Sequence, residues 1–271
     1  MNKFICFIHI EKCAGTTMHH ILHQNFLNYF ALSPDRIDYP DMSAQQLNKF
    51  IDACKVKVKG IGGHMVVPYM DYKRIISSPI FYFTFFRDPN KRYISYLNHR
   101  INRMNFDWSL EEYLEKSQFF NFQTKKIAGE ENLQKAIDII ESKVDFVGFM
   151  DKFDESLLLL KNQMGLEKFD INYEKSNVLI VKKIKHDFNQ LSDGQKSQVI
   201  ERNSIDRQLY DYVKQNIYPK YIASYKGDLQ KDLTDHLHKN EAHRFSKLRL
   251  NIDKAKNYTI RKLIFRKKIF H

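Results

Sequence analysis

The 271-residue sequence is poor in cysteine and has no long apolar run. Its three cysteines, Cys6, Cys13 and Cys54, are odd in number and lack the paired spacing of zinc ligands, which argues against a disulfide framework or a cysteine-bound metal. No window approaches the roughly 20 apolar residues that a membrane-spanning helix needs. The N-terminal apolar run turns polar at His9, which is not the pattern of a cleavable signal peptide. We therefore expect a cytoplasmic protein.

The sequence also lacks internal repeats, low-complexity linkers and any cluster of His, Asp and Glu at metal-ligand spacing, so we expect no bound metal. Its 43% hydrophobic and 14% aromatic content is typical of a globular fold. The net charge of +12 is unevenly distributed: residues 226–271 contain 13 Lys and Arg against 5 Asp and Glu, which leaves +4 for residues 1–225. We predict one domain over residues 1–225 and a basic tail or helical extension over 226–271.

Short apolar segments alternate with segments of helical periodicity along the predicted domain. The predicted strands start at Phe4 and continue at residues 56–61, 80–86, 144–149 and 177–181. The predicted helices include one with apolar side chains at Met18, Ile21, Leu22, Phe26 and Phe30, one capped by Ser43, a short one near residues 71–76 and one over residues 193–212. This alternation predicts an α/β fold with a central, mainly parallel sheet flanked by helices.

The loop between the first strand and the first helix predicts an anion site. At such a junction the backbone N–H groups of the loop and of the helix N-terminus converge, and the helix dipole adds partial positive charge. Lys12 and the hydroxyls of Thr16 and Thr17 lie in this segment. The nucleoside-triphosphate pattern Gly-x-x-x-x-Gly-Lys-Ser/Thr is absent, because Lys12 precedes Gly15. Many such junctions bind nothing, so the loop alone leaves both interpretations open.

Two further strands end in residues that suit a binding site. His64 follows the second predicted strand, and Arg87 follows the third, with Ser95 on the helix after it. Considered alone, an arginine after a buried strand is often solvated or paired with an acidic residue, and a single histidine often has only a structural role. Ligands of parallel α/β sheets bind outside the carboxyl ends of the strands, so the joint occurrence at one edge favours a functional site.

Two motifs of the sequence resemble those of a known family. Residues 8–17, Ile-His-Ile-Glu-Lys-Cys-Ala-Gly-Thr-Thr, resemble the loop His-Ile-Pro-Lys-Thr-Ala-Gly-Thr-Ser of the Golgi-type carbohydrate sulfotransferases, in the group that contains heparan sulfate 2-O-sulfotransferase and its bacterial relatives. Residues 87–96 resemble that family's second motif, Arg-Asp-Pro-x-x-Arg-x-x-Ser-x-Tyr. Weaker similarity at residues 121–129, 147–156 and 203–212 extends the resemblance over roughly residues 3–225.

The resemblance implies a fold, a donor and a set of donor-binding residues. The fold is the sulfotransferase fold, which is similar to that of P-loop NTPases, and the donor is 3′-phosphoadenosine 5′-phosphosulfate (PAPS). Its 5′-phosphosulfate would be held by Lys12, Cys13, Ala14, Gly15, Thr16 and Thr17. Arg87 and Ser95 would hold the 3′-phosphate, to which an arginine can make a bidentate contact.

The resemblance also implies a mechanism that needs no metal. The sulfuryl group would pass in line to a hydroxyl of a carbohydrate or glycolipid acceptor. His64 is the candidate general base, since imidazole ordinarily titrates near pH 6.5 and the family's catalytic histidine also follows a glycine after the second strand. Lys12 would stabilise the charge on the departing phosphate.

Four residues depart from the family pattern. Glu11 stands where the family has proline, which brings a carboxylate near the anion site unless it points away or pairs with a cation. Cys13 replaces a threonine and Lys125 an arginine, so one hydroxyl donor and one bidentate contact are lost. Gly62 stands where heparan sulfate 2-O-sulfotransferase has a second histidine, which would leave His64 without that assistance.

The basic segment 226–271 leaves several partners open. Its apolar and basic residues interleave on a helical wheel, which does not favour an amphipathic membrane helix. A solvated tail, docking to anionic lipid at the inner face of the membrane and contact with an acidic glycan all fit its charge. No nucleic-acid recognition fold is visible.

Two other functions compete with sulfuryl transfer. A P-loop kinase would share the fold class and the position of the loop, but it needs a glycine-lysine pair followed by a magnesium-binding serine or threonine. A non-catalytic module would use the anion site or the basic surface for binding alone.

Overall fold

A computed structural model of the protein describes residues 3–32, 41–54, 56–174, 183–244 and 255. Within these ranges five strands form one all-parallel sheet in the order β2-β3-β1-β4-β5. The strands are β1 Phe4–Ile8, β2 Tyr29–Ala31, β3 Gly60–Gly63, β4 Ile80–Phe86 and β5 Phe146–Phe149. The predicted α/β class and parallel sheet are therefore confirmed.

Helices connect and flank the strands. The described helices are α1 Gly15–Asn25, α2 Ala44–Cys54, α3 Pro89–Arg103, α4 Leu110–Leu114, α5 Phe122–Ala128, α6 Leu133–Lys143, α7 Phe153–Met164, α8 Asp193–Arg202, α9 Ser204–Tyr212, α10 Tyr218–Ala223 and α11 Leu229–Ala242. Single 3₁₀ turns lie at Tyr72–Arg74, Ser117–Phe119, Met150–Lys152 and Phe188–Gln190, and a π-helical turn at Val213–Ile217 joins α9 to α10.

The adjacent strands β1 and β4 lie in the core of the protein. Phe7 of β1 lies in register with Phe83 of β4, their ring centroids are 5.0 Å apart, and both side chains are buried. All of β1 is buried, and β4 is buried except for its first residue. Such continuous apolar runs are typical of parallel strands that are covered on both faces.

The edge strand β2 was not predicted. The sequence pattern placed Phe26 and Phe30 on the first helix, but α1 ends at Asn25 and Tyr29–Ala31 pairs with β3. The Asn25 side chain donates to the carbonyl oxygens of Ile21 (2.8 Å) and Asp170 (2.7 Å) at the point where the helix ends. The spacing of Phe26 and Phe30 suits either a helix or a strand, and the pairing of β2 with β3 decides in favour of the strand.

The strand β3 lies later in the chain than predicted, at Gly60–Gly63 instead of residues 56–61. Three of its four residues are glycines, which strand propensity disfavours. Close approach explains Gly62, because a β-carbon there would lie 2.0 Å from the Tyr29 hydroxyl and 2.8 Å from the β-carbon of Phe7. The glycine is therefore required by its neighbours.

Other predicted elements differ in their limits. The predicted helix over residues 193–212 consists of α8 and α9, which are separated at the buried Asn203. The short helix expected near residues 71–76 is the single 3₁₀ turn at Tyr72–Arg74, and the strand expected at 144–149 begins at Phe146. The Ser43 hydroxyl accepts from the Gln46 amide at 3.2 Å, as predicted for a helix cap. The strand predicted at 177–181 lies outside the described residues.

A second, smaller core lies beside the sheet. It joins α3, α4 and α8 through buried side chains such as Leu97, Tyr113 and Val199. The hydroxyl of Tyr93 donates to the carbonyl oxygen of Tyr113 at 3.1 Å. This packing fixes α3, the helix that begins directly after the carboxyl end of β4.

Part of the basic segment 226–271 is a helix that packs on α7. His236 Nε2 of α11 lies 3.2 Å from Asp154 Oδ1 of α7, and Asn240 Oδ1 accepts from the Tyr173 amide at 2.6 Å. The boundary at residue 225 stays a prediction. Across the described ranges, no helix has both the length and the apolar character to span a membrane.

We expect Phe83→Ala to lower the free energy of unfolding by about 3–5 kcal/mol, because it removes a fully buried ring from the centre of the sheet. The matched control is Leu27→Ala, where the side chain is 68% exposed and the change should stay within about 0.5 kcal/mol. Urea unfolding followed by circular dichroism measures both. Equal effects of the two substitutions would contradict the placement of β4 at the core.

Candidate functional site

The loop after β1 leads into the N-terminus of α1. Lys12 (φ 69°) and Ala14 (φ 60°) both adopt the left-handed conformation, which is uncommon for residues other than glycine. Met18 donates to the Ala14 carbonyl oxygen at 3.1 Å. The N–H groups of the first helical residues have no acceptor inside a helix, so those of Gly15, Thr16 and Thr17 are available to an anion.

Gly15 begins α1 where an imidazole ring closes against the backbone. A β-carbon at Gly15 would lie 1.7 Å from His9 Nε2. The His9 ring is buried and stacks on the Phe7 ring with a centroid distance of 5.6 Å. Its Nδ1 shares a hydrogen bond with His19 Nε2 at 3.2 Å. Since these contacts hold the ring in place, only glycine fits at this position.

Arg87 extends from the end of β4 toward the same loop. Its Nη1 donates to the Lys12 carbonyl oxygen at 3.2 Å, so the two predicted cationic residues lie side by side. Burial, Arg87 and Arg103 together lower the pKa of Lys12 to about 8, and burial also lowers the pKa of Arg87. Two neighbouring, half-buried cations favour the binding of anions, because negative charge offsets both their repulsion and their desolvation.

A side-chain clamp holds the two loops together. Gln123 Oε1 accepts from the Arg87 amide and Gln123 Nε2 donates to the Arg87 carbonyl oxygen, both at 3.0 Å. The Cys13 thiol lies 3.7 Å from the same Oε1 as a donor. The clamp therefore connects the β1 and β4 loops through α5.

The clamp is anchored by a buried carboxylate. Asp206 Oδ2 accepts from the Gln123 amide at 3.0 Å, and Asp206 Oδ1 accepts from the Thr124 amide and hydroxyl at 2.7 and 2.8 Å. Burial raises the pKa of Asp206, while Arg92 and these donors oppose that rise. The sequence pattern had pointed to these segments without assigning a role to Gln123 or Asp206.

Cys13 is committed to the loop itself. Its side chain is buried, and its amide donates to the Ile10 carbonyl oxygen at 3.2 Å. Burial raises the pKa of the thiol to about 12, so it stays protonated at neutral pH. The Cys13 amide is therefore already paired within the loop.

The remaining predicted donor-binding residues lie at the same edge of the sheet. Thr16 is exposed, Thr17 is half-buried, and Ser95 is half-buried in the second turn of α3. The Asp88 side chain caps α3 by accepting from the Lys91 amide at 3.0 Å, and it also pairs with Arg207 of α9. Lys125 points elsewhere, with its amino group 2.9 Å from the Ser117 carbonyl oxygen and 3.0 Å from Glu131.

His64 lies directly after β3 and next to the β1 loop. Its Nδ1 is 3.4 Å from the His9 carbonyl oxygen and 3.9 Å from Glu11 Oε1. The His64 and His9 ring centroids are 4.1 Å apart. The Lys126 amino group bonds to the His64 carbonyl oxygen and pairs with Asp41 at 3.0 Å. The three sequence-predicted groups, the loop, Arg87 and His64, are thus brought together.

A chain of hydrogen bonds behind His64 escaped sequence reasoning. The Tyr29 hydroxyl lies 2.8 Å from His19 Nδ1, and His19 Nε2 lies 3.2 Å from His9 Nδ1. Burial, followed by the neighbouring histidines, lowers the pKa values of His9 and His19, so both rings are neutral at neutral pH. Tyr29 belongs to the unpredicted β2, so no sequence pattern could have linked it to His9.

Nearby on α3, His99 adds a further neutral imidazole. Burial, followed by Lys12 and Arg103, lowers the pKa of His99 to about 4. In the part of the chain that the structure describes, no group of three or more His, Cys, Asp or Glu residues is placed to hold a metal ion.

Comparison with known proteins gives one family. A family model described as "Sulfotransferase family" matches residues 2–213. This range includes the five strands, the β1 loop, Arg87 and the Asp206 anchor, and it ends before α10 and α11. No curated protein matches the chain at a significant level.

We expect Gly15→Ala to destabilise the protein by about 1–3 kcal/mol, because the new methyl group overlaps the held His9 ring. Gly194→Ala is the matched control: it lies in a helix with nothing near its β-carbon position, and it should be neutral or stabilising by up to about 1 kcal/mol. Thermal unfolding of both variants measures the difference. A neutral Gly15→Ala would mean that His9 does not pack against the helix start.

Proposed function

The chain belongs to the sulfotransferase family, and from this premise we propose that it transfers the sulfuryl group of PAPS to a hydroxyl of a carbohydrate or glycolipid. The observation that carries the proposal is the convergence of an anion-binding loop, Lys12, Arg87 and His64 at the carboxyl edge of one sheet. Transfer needs cations for the donor and a base for the acceptor, and this edge provides both.

The residues present fit a donor with two anionic ends. The free N–H groups at the start of α1 and the amino group of Lys12 suit a phosphosulfate, as anions bind at helix N-termini. Arg87 has a planar guanidinium that suits a phosphate, and Ser95 lies on the helix that follows it. The donor itself supplies an activated sulfuryl group on a phosphate leaving group.

In the proposed reaction His64 takes the proton of the acceptor hydroxyl. The acceptor oxygen forms a bond to sulfur, the bond between sulfur and the bridging oxygen breaks, and the departing phosphate takes its electron pair. Lys12 stabilises the negative charge that develops on that phosphate. The reaction needs no further reactant. The protein positions the donor and the acceptor, provides His64 as the base and provides Lys12 as the cation.

The geometry favours this donor over a nucleoside triphosphate used by a kinase. Lys12 precedes the helix and belongs to the left-handed part of the loop, whereas the lysine of a P-loop kinase follows the last glycine. The choice of a carbohydrate or glycolipid acceptor is supported by the resemblance of residues 8–17 and 87–96 to carbohydrate sulfotransferases.

The proposal extends to where the enzyme works. Residues 226–271 carry 13 basic against 5 acidic residues, a composition that suits anionic lipid at the inner face of the cytoplasmic membrane or an acidic glycan. Within this segment the structure describes residues 226–244, which include α11, and residue 255. We propose the cytoplasm as its location, because three cysteines without disulfide-like or zinc-like spacing suit a reducing compartment.

We expect 3′-phosphoadenosine 5′-phosphate, the product of the donor, to raise the melting temperature of the protein, and ATP with Mg²⁺ to raise it less at the same concentration. The reason is that two anion positions fit two separate phosphate groups. Thermal-shift measurement with both nucleotides tests this. Stabilisation by ATP alone would favour a kinase, and stabilisation by neither would favour a non-catalytic module.

We expect His64→Ala to reduce sulfate transfer by about 10²- to 10⁴-fold, the usual contribution of a general base, while the affinity for the nucleotide product stays nearly unchanged. Arg87→Ala should instead weaken nucleotide binding by about 10- to 100-fold, because it removes a charge-assisted contact. Radiolabelled sulfate transfer to glycan and lipid extracts, combined with calorimetry, separates the two effects. The exposed His238→Ala is the control for histidine loss. An active His64→Ala enzyme would rule out the base assignment.

We expect the affinity for 3′-phosphoadenosine 5′-phosphate to fall as the pH rises above about 8, the lowered pKa of Lys12. Below that pH Lys12 is already charged; above it, binding must take up a proton, which weakens binding by up to about tenfold per pH unit. Lys12→Arg should remove this dependence, since arginine stays charged. Calorimetry between pH 7 and 9.5 tests the difference, and equal pH profiles for both proteins would contradict it.

A further inference from the structure

The carbonyl oxygen of His64 accepts a hydrogen bond from the amino group of Lys126, a residue of α5. We propose that Lys126 is a positioning residue, which acts through the backbone of His64 to hold this candidate base next to the β1 loop. The role of His64 as a base rests on the proposed function, whereas its contact with Lys126 is independent of that function. Sequence reasoning assigned no role to Lys126.

The Lys126 amino group has a second partner that fixes its direction. It pairs with Asp41 Oδ1 at 3.0 Å, and the side chain of Lys126 is only 11% exposed. The other carboxylate oxygen of Asp41 accepts from the Tyr69 hydroxyl. Burial, followed by Asp41, raises the pKa of Tyr69, so this hydroxyl keeps its proton at neutral pH. The ammonium group of Lys126 is therefore held by two charge-assisted hydrogen bonds.

Two consecutive carbonyl groups of the loop after β3 are held from outside that loop. The His64 carbonyl oxygen accepts from Lys126, and the Met65 carbonyl oxygen accepts from the Met42 amide at 2.8 Å. Met42 directly follows Asp41, the partner of Lys126. The backbone that carries the imidazole ring is therefore fixed by contacts that do not involve the ring itself.

The helix α5 contacts both the Arg87 loop and the His64 loop. Gln123 and Lys126 are three residues apart, a spacing that makes them neighbours on a helix. Gln123 bonds to the amide and the carbonyl oxygen of Arg87, and Lys126 bonds to the carbonyl oxygen of His64. Asp206 fixes the start of the same helix. One helix therefore sets the position of the candidate base relative to a donor-binding cation.

The rate of a transfer reaction depends strongly on such a relative position. A displacement of about 1 Å at a residue far from the chemistry can lower a rate by about 10²-fold. The loss of the Lys126 contact would free the backbone at His64 but would leave the Gln123 clamp on Arg87 in place. We therefore expect Lys126 to affect turnover more than it affects the binding of the donor.

The first experiment measures local opening in the free protein and needs neither donor nor acceptor. Lys126→Met keeps a long side chain and removes its hydrogen-bond donor. In hydrogen exchange followed by NMR, we expect the amides of Val66 and Met42 to exchange about tenfold faster. These amides donate to carbonyl oxygens at residues 63 and 65, in the loop that Lys126 holds. The amides of β1 and β4 should keep their wild-type exchange.

The matched control is Lys125→Met, which removes the neighbouring lysine of the same helix. Lys125 also bonds to a backbone carbonyl oxygen and a carboxylate, those of Ser117 at 2.9 Å and Glu131 at 3.0 Å. Its loss should leave the exchange of the amides at residues 42 and 66 unchanged. Wild-type exchange at these amides in Lys126→Met, or equal acceleration in both variants, would overturn the proposal.

Tyr69→Phe is a milder variant for the case that Lys126→Met does not fold. It keeps the ring, which lies beside Gly129 at the end of α5, and removes only the hydroxyl that donates to Asp41. We expect exchange at Val66 to become about threefold faster, because Asp41 then holds Lys126 less firmly. Thermal unfolding shows which variants are folded, and unchanged exchange in a folded Tyr69→Phe protein would contradict the proposal.

The second experiment separates positioning from donor binding and from stability. With an acceptor identified by sulfate transfer to the extracts, we expect Lys126→Met to lower kcat by about tenfold, while the KM for PAPS stays within about twofold. In the His64→Ala background the same change should have no further effect on kcat, since a positioning residue acts only through the group that it positions. A loss that multiplies with the loss in His64→Ala would overturn the proposal.

Failure of the proposed function would look different. A wild-type protein that transfers no sulfate to any extract would refute sulfuryl transfer to those acceptors, yet hydrogen exchange would still decide whether Lys126 holds the loop of His64. An active wild type whose kcat is unchanged in Lys126→Met would leave the function intact and refute only the role of Lys126.

Discussion

The site depends on the clamp that Gln123 makes between two loops that carry like charge. Lys12 and Arg87 would repel each other, yet the Arg87 guanidinium bonds to the Lys12 carbonyl oxygen at 3.2 Å. Gln123 fixes the backbone of Arg87 from both sides, and Asp206 fixes the backbone of Gln123 from inside the protein. Because the clamp acts on backbone groups, it positions the cations without neutralising them. Their charge remains available to a ligand.

The electrostatics of the edge follow from this arrangement. Burial and neighbouring cations lower the pKa of Lys12 to about 8, which means that the free protein holds this charge at a cost. The N–H groups at the start of α1 add partial positive charge at the same place. A bound anion would offset the desolvation of Lys12, its repulsion by neighbouring cations and the partial positive charge at the start of α1. The fold therefore holds an unfavourable arrangement of charge that a bound anion would offset.

Much of this could be predicted from sequence, and the rest depends on contacts between distant residues. The apolar run of β4 and the strand-loop-helix pattern at β1 are local signals, so the parallel sheet and the positions of Lys12 and Arg87 followed from them. β2 was missed because its three residues, Tyr29–Ala31, are too few to carry a periodic signal, and the limits of β3 were missed because three of its four residues are glycine. The clamp depends on a hydrogen bond between Gln123 and Asp206. A contact between residues so far apart in the chain leaves no signal in the hydrophobic periodicity of the sequence.

The two departures nearest His64 are best understood together. Without a side chain at Gly62, the Tyr29 hydroxyl reaches His19, and His19 holds His9 against the His64 ring. Without proline at residue 11, the chain carries a carboxylate that turns toward His64 Nδ1 at 3.9 Å. A carboxylate aimed at an anion site would oppose a bound anion, whereas Glu11 Oε1 lies beside the His64 ring. Together the two departures give His64 a packed ring face and a carboxylate as a neighbour.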